Sequence, residues 1–105
     1  MQAFVFRLIA PRSTFALDMT EAERATLSEH GRYWSQLMED GKVLAFGPVN
    51  DPAGSYGLGI ILAESLAEAE ALRDADPAVT SDHGLRAEVA PMFRLVTPGG
   101  VYDAG

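Results

Sequence analysis

The sequence predicts an α+β domain of ferredoxin-like βαββαβ order, a four-stranded antiparallel sheet with two helices on one face. Three observations predict it. Thr20-Glu21-Ala22-Glu23 and Ser65-Leu66-Ala67-Glu68 both fit the capping-box pattern that opens a helix. Four short segments rich in branched and aromatic residues surround the two helical runs in the order strand, helix, strand, strand, helix, strand. The 105 residues are 48% apolar and 22% charged, the balance of one ordinary globular domain.

The first strand is AFVFRLI, residues 3–9, closed by Pro11. Both of its alternating sets are largely apolar, which suits a central strand covered on both sides. Arg7 is the exception. It needs either a carboxylate, as in a strand-end salt bridge, or a ligand. A helix follows over about 21–39 and stops at Gly41. At 100° per residue, Leu27, Gly31, Trp34, Leu37 and Met38 share one stripe, and His30 lies within it, facing inward. Tyr33 falls off the stripe and reads as a surface residue.

VLAFGPVND, residues 43–51, is a strand that reaches a Gly47-Pro48 break, and Asp51-Pro52-Ala53-Gly54 supplies turn chemistry. SYGLGIILA, residues 55–63, completes the hairpin. Its Gly57 and Gly59 share a face and point to close approach of a helix or a ligand. The second helix, about 66–75, is ended by Pro77. LRAEVAPMFRLV, residues 85–96, is the last strand, with Pro91 marking a bulge or an edge. Residues 1–97 are thus one domain, and the Gly-rich tail 98–105 is expected to be flexible unless a partner holds it.

Two helices cover one face of such a sheet. The other face, to which Phe4 and its alternates are assigned, is also apolar and calls for a second subunit. The sequence therefore predicts a homodimer packed sheet to sheet. A net charge of −7 with no two adjacent Lys or Arg leaves no basic surface for nucleic acid or an anionic membrane. The absence of cysteine excludes disulfides, thiolate catalysis and zinc-cysteine sites. The N-terminal MQAFVFRLIAP has no basic n-region, and its apolar run is too short to span a bilayer, so a soluble cytoplasmic protein is expected. No metal is expected, because His30 and His83 have no ligand spacing. No cofactor is expected either, since Gly57-Leu58-Gly59 lies inside a strand and matches no dinucleotide fingerprint.

Two residues carry chemistry. A histidine can take and return a proton near neutrality, and a carboxylate on one ring nitrogen fixes the tautomer and leaves the other nitrogen as base. Asp before Pro is a routine turn residue. Asp76 stands just past a helix C-terminus, however, where negative partial charge disfavours an anion. It needs a partner, and His30 is the best candidate. Asp74 reads as a solvated helix end, and Asp82 and His83 as loop residues. Trp34 is a core residue whose edge lines the His30 pocket, with Gly47 and Pro48 at its rim. Arg7, Trp34, Gly47 and Pro48 are the candidate binding residues.

The stretches EHGRYWSQLMEDGKV, LAFGP, ESLAEAEALRDADP and EVAPM together resemble the YciI or YCII-related family of small dimeric α+β barrel proteins, over residues 3–95. The resemblance implies a ferredoxin-like dimer binding a small molecule, with His30 and Asp76 as a catalytic or ligand-binding dyad. One branch of that family eliminates chloride from a hydroxylated aromatic ring, and most members have no assigned reaction. The expectation is lyase- or isomerase-type chemistry on a small compound, with His30 as general base; the alternative is a non-enzymatic ligand-binding or accessory dimer using the same cleft. Ala78 stands where the family commonly has an aromatic, and Glu29 and Gly31 flank His30 where it has a small residue and Leu.

Overall fold

Strand β1, Gln2–Ile9, organises the computed structural model, which describes residues 1–104. It is paired on both sides. One neighbour is β3, Tyr56–Ala63, and the other is β4, Arg86–Pro91; β2, Val43–Val49, completes the sheet in the order β2-β3-β1-β4 with every pair antiparallel. Two longer helices, α2 at Glu21–Glu39 and α3 at Leu66–Asp74, pack on one face, accompanied by the single-turn helices α1, Phe15–Asp18, and α4, Pro77–Thr80. The predicted βαββαβ order is the observed one.

Helix α2 begins where its capping box places it. Thr20 accepts from the Glu23 backbone N–H at 3.1 Å, and the Glu23 carboxylate accepts from the Thr20 N–H at 2.8 Å. At α3 only half of the box forms. Ser65 accepts from the Glu68 N–H at 3.1 Å, and Glu68 does not reach back. The Asp51–Gly54 turn closes as expected, with Asp51 accepting from the Ala53 and Gly54 backbone N–H groups at 2.8 and 2.9 Å.

Register decides which face of β1 is inward. Phe4, Phe6 and Leu8 stand opposite Ile61, Gly59 and Gly57 of β3, and all three point into the core beneath α2. The expectation that Phe4 and its alternates lie on the uncovered face is therefore corrected. AFVFRLI is apolar at both parities, so its pattern alone could not choose; Val5, Arg7 and Ile9, with Leu58 and Ile60, lie on the open face. Gly59 shows why α2 sits so close. A Cβ there would lie 2.5 Å from Cζ3 of Trp34, so the indole occupies the space that any side chain would fill.

The C-terminal part departs from expectation. The last strand does not run through 85–96 but ends at Pro91, after which Met92 N–H donates to the Ala3 carbonyl at 3.0 Å. Residues Arg94–Thr97 form β5, which pairs with β6, Gly100–Asp103, as a separate hairpin alongside β1. The boundary expected at residue 97 falls inside that hairpin. Gly100, with φ of 148°, takes a backbone conformation open to glycine at the turn.

Candidate functional site

Asp76 is fully buried, with 0% of its surface exposed. A carboxylate in that position must have its oxygens satisfied. Oδ1 accepts from the Ala78 backbone N–H at 2.9 Å, and Oδ2 accepts from the Trp34 indole N–H at 2.8 Å. His30 Nδ1 lies 2.9 Å from Oδ1 and 2.8 Å from Oδ2. Asp76 thus ends one helix and starts the next. It follows the Ala75 C-cap of α3 and is itself the N-cap of α4, with Pro77 in the first position. The unfavourable field expected behind α3 is offset by the N-terminal end of α4 as well as by the imidazole, a contribution that Asp-Pro seen only as a helix stop does not reveal.

His30 and Trp34 reach Asp76 together because they are four residues apart on α2 and therefore on one face. An ionised carboxylate only accepts, so Nδ1 carries the proton in the His30–Asp76 contact and Nε2 of the neutral ring is left as an acceptor. Nε2 has no hydrogen-bond partner among the described residues, and no buried side-chain nitrogen or oxygen there lacks one, so Nε2 is accessible. The ring is 13% exposed and lies against Phe6 and Trp34, at centroid distances of 6.5 and 6.0 Å.

The space His30 borders is a cavity of about 330 Å³ between the helical face of the sheet, α2 and α1. Aromatic side chains dominate its walls: Phe6, Phe15, Trp34 and Phe46. Besides His30, the polar residues on the boundary are Ser55 and Tyr56, the latter with its ring turned to the open face against Arg7, and no Lys, Arg, Asp or Glu lines it among the described residues. A model of the YCII-related domain family matches residues 3–93, nearly the whole chain. The chain belongs to the YCII-related domain family. A solved structure of similar fold, the uncharacterized protein TM1266 from Thermotoga maritima, superimposes with a TM-score of 0.51 at 9% identity, covering 86% of this chain and 94% of that one. No curated protein matches the sequence.

In this YCII-related domain the other candidate residues divide. Trp34, Gly47 and Pro48 line the cavity with His30. Arg7 does not, which corrects its assignment to the same site. Its parity on β1 sends it to the open face, where it stacks 4.4 Å from the Tyr56 ring centroid and faces Glu88 at 4.0 Å. The carboxylate account of Arg7 is the observed one, loosely and at the surface. His83 stays in its loop, its backbone N–H donating to Ser81 Oγ at 3.4 Å, and Asp74 is an exposed helix-end residue paired with Arg73.

Two features of the YCII-related domain went unread in the sequence. Tyr33 is half-buried and donates to the Leu72 carbonyl at 2.6 Å, joining α2 to α3; burial first, and then the Asp76 charge, push its phenol pKa up. The second is Arg12, in the segment after β1. Its guanidinium donates to both Glu23 oxygens at 2.8 and 2.9 Å and to Asp18 Oδ1 at 2.8 Å. Glu23, beyond its capping role, is thereby a charge receptor, a use signalled only by its burial. No helix is long and apolar enough to cross a membrane among the described residues.

Proposed function

We propose that this YCII-related protein is an enzyme that removes a proton from a small, uncharged, largely apolar compound held in the cavity, with His30 Nε2 as base. The observation that carries the reading is the division of labour on one imidazole: buried Asp76 holds Nδ1 at 2.8 Å while Nε2 faces the cavity without a partner. Asp76 fixes the tautomer and stabilises the imidazolium formed when Nε2 takes the proton. The electron pair left on the substrate becomes a new double bond. Either a leaving group departs with its own electrons, as in a lyase, or the proton returns at another carbon, as in an isomerase. The lack of a cationic side chain on the walls favours an uncharged ligand, since a carboxylate or phosphate there would have no counter-charge. The aromatic walls suit a planar one, hydroxylated aromatics included.

The test is turnover of a panel of neutral hydroxylated and halogenated aromatics by the wild type, His30→Ala and Asp76→Asn. Loss of the general base should lower kcat by about 10²–10⁴-fold. A turned-over compound for which His30→Ala keeps full kcat sinks the assignment. A second reading, a ligand-binding module without chemistry, is favoured by the structural duties of Asp76, which caps α4 and holds Trp34 whether or not His30 reacts. Tight binding by all three proteins with turnover by none would select it.

The same proposal includes a homodimer through the open sheet face, where Val5, Leu58 and Ile60 stand beyond the reach of the helices, with Leu58 38% exposed. Sedimentation at micromolar concentration should give the mass of two chains, and Leu58→Glu should give one. A wild-type monomer there would remove the dimer from the proposal.

A further inference from the structure

We infer that residues 10–19 are a movable lid over the His30 cavity and that Arg12 is the positioning residue that latches it. The inference takes from the proposed function only that ligands enter this cavity. The segment runs from the end of β1 to the start of α2. Its inner side contributes Ala10, Phe15, Ala16 and Met19 to the cavity wall, and Phe15 is 7% exposed. Its outer side carries Leu17, 89% exposed. The packing of the segment thus rests on its inner side alone, chiefly on Phe15.

The attachment of this segment differs from that of the strand and helix walls. The sheet strands and α2 are fixed by ladder and helix hydrogen bonds. The backbone hydrogen bonds of residues 12–18 outside regular structure, from Phe15 to Arg12 and from Leu17 and Asp18 to Thr14, begin and end inside the segment. Helix α1 makes no backbone-level packing with any other element. Opening therefore breaks no backbone hydrogen bond between the segment and the body.

Beside the packing of Phe15, Ala10 and Met19 against the core, what holds it is Arg12. Nε and Nη2 donate to Asp18 Oδ1 and the Asp18 carbonyl at 2.8 and 3.0 Å, and Thr14 Oγ1 donates to Asp18 Oδ2 at 2.6 Å, all within the lid. The paired bonds from Nη1 and Nη2 to Glu23 are the polar attachment to the body. The Arg12 side chain is 36% exposed and can turn out to water, whereas Glu23 is buried and loses its counter-charge when the pair opens, so the pair holds the lid shut without locking it. Phe15 withdraws with the lid and uncovers His30 and Trp34. Local opening of this kind lies far below global unfolding in free energy.

Trp34 is the single tryptophan of the chain, is 1% exposed and lines the cavity, so neutral acrylamide reports on the lid without any ligand. Arg12→Gln should raise the quenching rate constant of Trp34 several-fold at unchanged far-UV circular dichroism and emission maximum. Arg12→Lys should return it toward wild type by restoring a cation opposite Glu23, and Leu17→Gln should leave it unchanged. Equal quenching of folded Arg12→Gln and wild type overturns the latch. Should Arg12→Gln fail to fold, Glu23→Gln, which keeps a capping side chain at the third helical position, weakens the latch from the body side. Its Trp34 should also be quenched several-fold faster than wild type, and equal quenching of the folded variant overturns the lid. Neither readout depends on turnover, so a mobile lid over a cavity without chemistry would defeat the proposed function and leave this inference standing.

Discussion

Trp34 and Asp76 are joined by a hydrogen bond of 2.8 Å from the indole N–H to Oδ2, and the same carboxylate holds His30. The core and the candidate site therefore share one buried anion. Trp34→Phe keeps an aromatic ring over Gly59 but withdraws the donor. It should cost about 1.5–3 kcal/mol, the range for a hydrogen bond to a charged group. Equilibrium denaturation measures the cost, and Tyr33→Phe, which loses the bond to the Leu72 carbonyl, is a neutral-acceptor comparison at about 1 kcal/mol. Equal costs would mean that the Trp34–Asp76 bond is not charge-assisted.

Removing the carboxylate should be worse than removing either donor. Asp76→Ala leaves the indole N–H, the Ala78 N–H and the imidazole without their acceptor, and breaking a buried pair in this way should destabilise the fold by roughly 3–5 kcal/mol. His30→Ala leaves Asp76 with two of its three donor groups and should cost less. Chemical denaturation of the two variants side by side tests the ordering; a larger loss for His30→Ala would contradict it.

Gly59 is a point of tight approach between the sheet and α2. The methyl of Gly59→Ala would meet Trp34 Cζ3 at 2.5 Å and Cη2 at 2.9 Å, on a ring that its bond to Asp76 prevents from turning away. Overpacking of this kind costs about 1–3 kcal/mol. The displacement should also reach His30, visible as a shift of its imidazole resonances. Gly47→Ala, whose added methyl meets nothing within 4 Å, is the control that should keep wild-type stability.

Acid should weaken the attachment of the lid. The Arg12 guanidinium, followed by the Thr20 backbone N–H, holds the Glu23 carboxyl down at about 2, below its ordinary 4.5. Asp18 is lowered as well, by Thr14 first and then by Arg12. A carboxyl depressed in the folded state contributes stability that is fully present above its unfolded pKa and is lost as pH falls through the folded one. Glu23→Gln should therefore have a lower Tm than wild type at pH 7, and the gap should narrow between about pH 4.5 and pH 2. A gap that stays constant over that window would place the loss elsewhere, in the capping box for example.

The two capping boxes, the proline after α3 and the glycine after α2 were enough to set the order of elements, because each acts within a few residues of itself. The placement of His30 beside Asp76 was legible for a less local reason. An inward histidine and a carboxylate behind a helix each lacked a partner, and the fold brings α2 and the α3–α4 junction together. The face of β1 was not legible, since AFVFRLI satisfies either parity until pairing with β3 is known. Arg12 was not legible either, because its contact with Glu23 depends on the path of an irregular segment. The β5–β6 hairpin did carry a signal. Pro98-Gly99 lies between the short runs RLVT and GVYD, a turn dipeptide that the weak periodicity around it obscured.

Both outer strands of the sheet contain a proline: Pro48 within β2 and Pro91 at the end of β4. Each deletes one backbone donor from the rim to which a further strand would have to bind, and β2 is bent besides by the irregularity between Val43 and Ala45. Growth by repeated strand addition, the route to fibrils, is thus obstructed at either rim. Leu58 and its apolar neighbours on the open face can in this way stay exposed on a sheet that resists lengthening strand by strand.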